Sequence, residues 1–495
     1  KHTTALIEGV PHAATVSAGE YSYFRFPVAN RIDGYLNVLV MPTSGDAELS
    51  LYVGFGAKDA PTSASYDVKS EELGAECIYV PLADHCVGGN IENGECVAYF
   101  GVHASSASTG SGEFKILAEL DNNFNNSISL SAGHPMMGCA RSAGFTYYEH
   151  QIDKNSIDRV TITLTPLSLT ADPDLYVTIG ERRMPTRSKF DFRSFRSDGE
   201  DVVVVQKGDP HFIQHCSSNS LFCTVNIAVY GFKPASFIIT ISTGVEGGET
   251  FLLPGVQVSG IVGKGKYDYY HFSSAAATED ITIVLDAPSG GDPDLLVSNT
   301  NDETNLPLDG VPTTYQWSER SRGGGFLYIA HTDKNFKANN DFVIGVHGYS
   351  NASYTLLVTI GVKPTRLMPG VQVQGKALAS NFKYYYVNRG DSERDVIVSV
   401  MPMSGKPVLY VTANKDNTLP SNKYGTYTHS SRSSQLQTRN SVIMRNQTDI
   451  PPGVDTILIG VYGHGGASSF KIRAGLCGSE ETLLDQHFRV GLSRQ

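Results

Sequence analysis

The chain has 495 residues, a length that predicts three or four domains of roughly 100 to 200 residues each. Charged residues make up 18%, while 49 residues are glycine and 23 are proline, a composition typical of short strands and turns rather than helices. The net charge of −11 comes without a basic block, which argues against nucleic acid or an anionic membrane surface as partner. No apolar run approaches the roughly 18 residues of a membrane-spanning helix.

The chain repeats itself with a period of about 120 residues. Each copy opens with a turn and an aromatic strand, as in ALIEGVPHAATVSAGEYSYFRF from Ala5. An alternating apolar run follows, then a short strand such as DLYV, and the copy closes on two strands joined by a glycine-containing turn, such as IAVYGF and SFIITIS. Because helical periodicity is not sustained anywhere, each copy is predicted to be an antiparallel β-sandwich.

The repeats divide the chain into four predicted domains, residues 1–120, 121–243, 244–361 and 362–477. Short linkers predict that the four sandwiches stack into a semi-rigid rod. Residues 478–495 resemble the opening of the third copy. They predict either the first strand of a further repeat in a longer protein or a strand donated to a neighbouring molecule. The further repeat is the favoured interpretation, because the first copy carries its own opening strand.

Seven cysteines without CxxC spacing disfavour a zinc knuckle or a redox pair and favour disulfides. Two predicted disulfides each bracket a short polar loop that precedes an apolar strand: Cys86–Cys96 and Cys216–Cys223. Cys77 and Cys139 would then be able to join the first copy to the second, which leaves Cys477 without a partner. An odd cysteine in a secreted chain suggests a missing or intermolecular partner.

Three triplets match the N-glycosylation sequon, at Asn125, Asn351 and Asn446. Together with the expected disulfides, they predict a secreted or cell-surface protein.

A motif in the second copy, SLTADPDLYVTIG at residues 168–180, resembles the bacterial pre-peptidase C-terminal domain family. KFDFRS follows it and NIAVYGFKPASFIITI closes the copy, while the third copy matches through SGGDPDLLVSN, TYQWSE and FVIGVHGYSNASYTLLV. The first and fourth copies diverge, with SGDAELSLYV and SGKPVLYVT. The resemblance implies a jelly-roll-like β-sandwich that binds calcium in some members and accompanies, rather than performs, extracellular proteolysis.

Two Asp-Pro-Asp turns are candidate calcium sites. Their carboxylates belong to Asp172 and Asp174 in the second copy and to Asp292 and Asp294 in the third. At the start of a strand, side chains i and i+2 leave on the same face, so each pair could converge on a hard cation. The alternative is a turn in which Asp caps its own backbone and Pro opens the strand. The first copy has a weaker acidic pair, Asp46 and Glu48, and Lys406 takes the acidic position in the fourth.

The aromatic strand of each copy has two faces. Strand alternation places one set on the first face: Tyr23, Tyr147, Tyr269 and Tyr384. It places the other set on the second face: Phe24, Tyr148, Tyr270 and Tyr385. One face must be core. The opposite face predicts either a tyrosine surface that contacts a glycan, a collagen-like ligand or a neighbouring subunit, or aromatic pairs within the sandwich.

The sequence contains no HExxH, GxSxG, Walker or dinucleotide-binding motif. His211 and His215 are four residues apart, but they lie in a proline-flanked loop beside a predicted disulfide, which disfavours a zinc pair. We therefore predict a non-enzymatic extracellular structural protein, a repeat subunit of a filament, appendage or coat assembled through sheet-edge and interdomain contacts. The alternative is a glycan- or matrix-binding region of a larger secreted enzyme such as a peptidase.

Overall fold

The protein is represented by a computed structural model. It describes residues 3–28, 34–45, 49–70, 76–87, 91–92, 95–105, 111–121, 127–155, 157, 159–167, 171–181, 183–195, 201–216, 221–233, 235–243, 249–273, 279–287, 290–299, 306–337, 341–361, 364–367, 372–389, 393–415, 418–431 and 440–477. The predicted strand at residues 478–495 lies outside this part of the chain, as do Asp46, Glu48 and Asn125.

The strands fall into four successive groups, which we call units 1 to 4. Unit 1 contains β1 (Thr4–Ala5), β2 (His12–Ser17), β3 (Tyr21–Pro27), β4 (Tyr35–Gly45), β5 (Leu49–Phe55), β6 (Val68–Ser70), β7 (Glu76–Pro81), helix α1 (Leu82–His85), β8 (Ile91–Glu92), β9 (Glu95–Ala104) and β10 (Ser111–Asp121). Unit 2 contains β11 (Ile128–Ser129), β12 (Met136–Ala140), β13 (Gly144–Asp153), β14 (Arg159–Pro166), β15 (Pro173–Ile179), β16 (Phe192–Ser194), β17 (Asp201–Gln206), helix α2 (Pro210–His215), β18 (Phe222–Gly231) and β19 (Ala235–Thr243).

Units 3 and 4 repeat this order without the helix. Unit 3 contains β20 (Glu249–Phe251), β21 (Gln257–Val262), β22 (Tyr267–Ser273), β23 (Ile281–Asp286), β24 (Pro293–Asn299), β25 (Trp317–Glu319), β26 (Gly324–Ile329), β27 (Asp341–Gly348) and β28 (Ala352–Ile360). Unit 4 contains β29 (Thr365–Arg366), β30 (Val373–Ala377), β31 (Phe382–Asn388), β32 (Asp395–Ser404), β33 (Pro407–Thr412), β34 (His429–Ser430), β35 (Asn440–Met444), β36 (Thr456–Gly463) and β37 (Ser468–Cys477).

Each unit folds into two sheets. The first sheets have the orders β1-β3-β9-β5-β6 (with β8 on β9), β11-β13-β18-β15-β16, β20-β22-β27-β24-β25 and β29-β31-β36-β33-β34. The second sheets have the orders β2-β10-β4-β7, β12-β19-β14-β17, β21-β28-β23-β26 and β30-β37-β32-β35. The predicted fold class, all-β with tandem antiparallel sandwiches, is confirmed. One addition is a short parallel pair at the edge of each first sheet, such as β1 with β3.

The strand groups occupy residues 4–121, 128–243, 249–360 and 365–477. The predicted divisions after residues 120, 243 and 361 lie at or beside the gaps between them. Each unit has its own core between its two sheets, and the second set of aromatic residues lies there: Phe24, Tyr148, Tyr270 and Tyr385. Burying each of these side chains contributes roughly 1.5 to 3 kcal/mol, so the cores hold each sandwich together.

In units 2, 3 and 4, the buried tyrosine faces a glycine on the first strand of the second sheet. The pairs are Tyr148 with Gly138, Tyr270 with Gly260 and Tyr385 with Gly375, and a Cβ on the glycine would collide with the hydroxyl group. Unit 1 has Ala14 at the glycine position, set opposite Phe114 as Gly138 is opposite Phe237, and Phe24 at the tyrosine position. The smaller ring therefore leaves room for the methyl group that the other units exclude.

Neighbouring units contact each other in a recurring way, with β4, β14 and β23 of one unit against β12, β21 and β30 of the next. At the first junction the disulfide Cys77–Cys139 joins units 1 and 2 covalently. The Tyr79 hydroxyl donates to the backbone oxygen of Cys139 at 2.8 Å. An apolar cluster that includes Leu39 and Met137 fills the space beside this bond.

The next two junctions use charged and apolar contacts. Arg159 of unit 2 forms an ion pair with Asp268 of unit 3, whose other carboxylate oxygen accepts from the Tyr354 hydroxyl at 2.8 Å. Between units 3 and 4, Val284 and Leu357 belong to the same apolar cluster as the core of unit 4. The apolar cluster of unit 4 therefore includes side chains of unit 3 as well as its own.

Candidate functional sites

In each unit, one loop lies over the face of the first sheet that points away from the core. We call these segments the covering loops: residues 56–67, 183–191, 306–316 and 418–428. In unit 1, Ser63 N–H donates to the Tyr21 hydroxyl at 3.1 Å, and the Tyr66 ring lies 5.8 Å from Tyr52. In unit 3, the Tyr269 hydroxyl donates to the Pro307 backbone oxygen at 3.3 Å. Strands such as β15 are consequently buried along both faces, which explains their continuous apolar sequence.

The tyrosines predicted as a binding surface lie under these loops. Tyr23 is 9% exposed, Tyr147 8% and Tyr269 6%, and Tyr384 is half-buried. Each stacks on the aromatic residue two positions before it, with ring centroids 5.4 to 5.8 Å apart. Burial leaves the first three no open face for a glycan or a collagen-like ligand. These tyrosines instead form aromatic pairs within the sandwich, which was the alternative interpretation of the sequence.

An acidic residue fixes the end of the covering loop in units 1 and 2. Asp67 accepts from the N–H of Phe55 at 2.9 Å, and Asp191 accepts from the N–H of Ile179 at 2.9 Å. Arg183 donates two further hydrogen bonds to Asp191, at 2.6 and 2.9 Å. Burial raises the pKa of Asp191, but the hydrogen bonds from Arg183 and Ile179 outweigh it, and the pKa is lowered. The sequence identified this segment only as a family pattern and missed its anchoring role.

The Asp-Pro-Asp turn of unit 2 is already supplied with cations. Asp174 is 4% exposed and accepts from the Tyr176 hydroxyl at 3.0 Å. The pKa of Asp174 is raised, mainly by burial and further by the charge of Asp172. The hydrogen bond from Tyr176 and the charges of Arg187 and Arg193 offset this rise only in part. The positive charges of Arg187 and Arg193 would oppose a calcium ion here, so this pair fits the ion poorly.

The turn of unit 3 fits better. Asp294 is 5% exposed, His347 Nδ1 lies 3.5 Å from its carboxylate, and the charge of one arginine, Arg320, acts on it. One carboxylate oxygen of Asp292 is buried without a hydrogen-bond partner among the described residues. A buried oxygen of this kind costs free energy unless it is satisfied, and a hard cation would satisfy it. Calcium stays a prediction, and it now centres on Asp292 and Asp294.

Two of the three predicted glycosylation sites lie in the described part of the chain. Asn351 is exposed in the turn between β27 and β28, and its side-chain oxygen accepts from the N–H of Lys264 at 2.7 Å. Asn446 is half-buried, and its side-chain oxygen accepts from Arg389 at 2.7 Å. Glycosylation stays a prediction at both positions.

The structure contains the two disulfides predicted from loop spacing, Cys86–Cys96 and Cys216–Cys223, and also Cys77–Cys139, the pairing that the remaining cysteines allowed. Their Cα–Cα separations are 5.5 Å for Cys86–Cys96, 5.5 Å for Cys216–Cys223 and 6.6 Å for Cys77–Cys139. The first two fasten α1 and α2 to the strands that follow them. Cross-links of this kind are typical of an oxidising compartment, consistent with an extracellular protein.

The structure also brings together three metal-ligand side chains in unit 2. One ligand atom each of Asp191, His211 and His215 lies within 4.8 Å of the other two. The two histidines sit four residues apart on α2, and Asp191 ends the covering loop. The sequence showed only the histidine pair, because Asp191 reaches it through folding of the loop.

No family model matches the chain, and a search of curated proteins finds no similar protein. The resemblance to the pre-peptidase C-terminal family therefore stays a prediction. None of the helices in the described residues is long and apolar enough to cross a membrane.

Proposed function

We propose that the protein is a non-enzymatic extracellular structural protein whose copies assemble end to end into a filament, appendage or coat. The observation that carries this proposal is the recurrence of one type of junction along the chain. The second sheet of a unit packs, with the face that points away from its core, against the first strand of the second sheet of the next unit. A surface used repeatedly within a chain is suited to use between chains.

In the last unit, part of this face is exposed among the described residues. Met41 of unit 1 packs against the apolar cluster of the first junction. Met401, at the same position of unit 4, is 52% exposed, and Met403 is 51% exposed. Met401 pairs with Lys471 of β37, which forms an ion pair with Asp286 of unit 3 at 3.6 Å, and the exposed Arg473 further along β37 adds positive charge.

The first unit presents the complementary face. Val256 of unit 3 packs against the apolar cluster between units 1 and 2, whereas Val10, at the same position of unit 1, is 51% exposed. Ile7 is 69% exposed beside it. An open cavity of about 570 Å³ lies next to β2 and β3 and is lined in part by Glu20 and Ser22.

We commit to a second copy of the chain as the occupant of both faces. Its unit 4 face would lie on the unit 1 face as β23 lies on β30 within the chain. The exposed Glu20 at one end and Arg473 at the other give the two faces opposite charge. This contact joins two different faces and is therefore heterologous. Repeated from copy to copy, such a contact produces an open chain unless the rotation closes it into a ring.

Assembly is measurable by sedimentation velocity and electron microscopy of the full chain over increasing concentration. We expect head-to-tail oligomers from the wild type and none from Ile7→Glu/Val10→Glu or from Met401→Glu/Met403→Glu. A mixture of these two variants should stop at dimers, because each keeps one working face. The control Leu308→Glu/Val311→Glu changes exposed apolar residues of unit 3 and should assemble like the wild type.

A wild type that stays monomeric at all concentrations would contradict the proposal, as would a control variant that loses assembly equally.

We further propose that the units are divergent members of the pre-peptidase C-terminal family, a proposal supported by the Asp-Pro-Asp turns of units 2 and 3. The glycan-binding alternative gains no support from the structure, since its tyrosines lie beneath the covering loops.

A further inference from the structure

We propose that Asp191, His211 and His215 form a zinc site on the surface of unit 2. The three ligand atoms lie within 4.8 Å of one another, and His211 Nδ1 is 3.4 Å from a carboxylate oxygen of Asp191. Zn²⁺ takes histidine nitrogens and carboxylate oxygens at about 2.0 to 2.2 Å, so small side-chain rotations would be needed to place all three atoms around one ion. This site is independent of the end-to-end assembly.

The scaffold around the three ligands is fixed on both sides. Asp209 caps α2 by accepting from the N–H of His211 at 2.9 Å, and the disulfide Cys216–Cys223 holds the residue that follows His215. Positions i and i+4 of a helical turn place both imidazoles on one side of α2. Asp191 is held by the N–H of Ile179. Ligands held in this way lose little entropy when a metal binds.

The donor set favours zinc over calcium. Two imidazole nitrogens and one carboxylate oxygen suit a borderline metal with tetrahedral preference, whereas calcium prefers oxygen ligands alone. His211 is exposed, so water can reach the fourth position. Arg183 shares the Asp191 carboxylate and its positive charge opposes the ion. We therefore expect binding weaker than in a closed structural zinc site.

Unit 1 provides a natural comparison. Asp67 holds the position of Asp191, and His85 holds the position of His215 directly before the disulfide cysteine of the helix. Pro81 stands where unit 2 has His211. The aspartate that anchors the covering loop and the histidine that ends the helix are therefore present in both units, and their positions are explained by the fold. His211 is the residue that the fold does not require and that completes a set of three ligands.

Zinc binding to the full chain is measurable by titration calorimetry. We expect one equivalent of Zn²⁺ to bind the wild type, and at least tenfold weaker binding to His211→Ala. The control His85→Ala, which removes the unit 1 histidine at the position of His215, should bind like the wild type. Circular dichroism would establish that both variants are folded, which the exposed position of His211 favours. A wild type that binds no zinc, or a His211→Ala variant that binds it equally, would overturn the proposal.

Cobalt gives a second readout that a purely structural role would not produce. Co²⁺ bound by two imidazoles and a carboxylate absorbs visible light, and we expect this absorption from the wild type and its loss in His211→Ala.

Discussion

In units 2, 3 and 4, the hydroxyl group of the buried tyrosine and the aromatic ring beside it leave no room for a Cβ on the facing glycine. Replacing Gly138 by alanine would place a methyl group against the Tyr148 hydroxyl and the Phe237 ring. We expect Gly138→Ala to destabilise unit 2 by about 1 to 3 kcal/mol, because a close-packed core cannot absorb the added volume. The midpoint of urea unfolding, followed by circular dichroism, measures this loss.

The double variant Gly138→Ala/Tyr148→Phe recreates the pair found in unit 1 and should recover most of the lost stability. The Tyr148 hydroxyl oxygen is buried without a hydrogen-bond partner among the described residues, so its removal alone should cost little. If the single and double variants unfold at the same urea concentration, the hydroxyl collision is not the cause.

Lys383 is a charged side chain placed at the junction between units 3 and 4. It donates to the Thr359 hydroxyl at 3.1 Å, and burial lowers its pKa to about 8. Between pH 8 and about 10.5 the unfolded chain binds a proton that the folded chain has lost, so stability should rise with pH over this range. We expect Lys383→Met to abolish that rise and to stabilise the protein at pH 7 by about 1 to 3 kcal/mol.

Thermal unfolding at several pH values between 7 and 10.5 would measure this dependence. A matched control is Lys376→Met, which removes another lysine of unit 4 at the same junction, one that lies over the Tyr328 ring of unit 3. Stability that rises equally in wild type and Lys383→Met would contradict the assignment to Lys383.

At the scale of the element, the turn before β24 is the place where calcium would act. If Asp292 and Asp294 bind Ca²⁺, the ion should stabilise unit 3 by about 2.7 kcal/mol at a hundredfold excess over the dissociation constant. Asp292→Asn should abolish this gain, while Asp172→Asn in unit 2 should leave it intact. Melting temperatures with calcium and with chelator test this expectation, and identical melting curves for the wild type would remove it.

The strands were predictable from the sequence because their signals are local. Alternating apolar runs and glycine turns identify β4, β14, β23 and β32 and their partners without any knowledge of tertiary contacts. Alternation also separated Phe24 from Tyr23 and assigned each to its own face. Local patterns do not reveal what covers a face, and for this reason Tyr23 was a candidate for ligand binding.

The covering loops depend on contacts that sequence spacing does not encode. The Asp191 carboxylate meets Ile179 across the loop and His211 across the following strand, and neither contact has a periodic signature. The disulfides were accessible to prediction because cysteine is rare and each loop is short. The candidate zinc site was not, because one of its three ligands arrives only when the loop folds back.

At the scale of the whole molecule, the covalent link between units 1 and 2 distinguishes their junction from the others. Cys77 and Cys139 are 62 residues apart in sequence, and removing such a cross-link costs about 2 to 4 kcal/mol. We expect Cys77→Ser/Cys139→Ser to lower the melting temperature of both units and to let them unfold separately in calorimetry.

The control Cys216→Ser/Cys223→Ser breaks a bond within unit 2 and should destabilise that unit alone. Because the chain has several cores, its unfolding is described by separate transitions rather than by one free energy. If the Cys77→Ser/Cys139→Ser variant retained the wild-type calorimetric profile, the disulfide would not couple the two units.

The same bond also determines how the molecule would carry tension. A pull on the two ends passes from Cys77 directly to Cys139 through the sulfur atoms, and the residues between them bear no load. Strands β9 and β10, which complete unit 1, lie within this bypass, so stretching cannot draw them out until the disulfide is reduced. Extension of unit 1 is limited to the residues before Cys77, and a reducing agent would lengthen the extensible chain by the 62-residue interval.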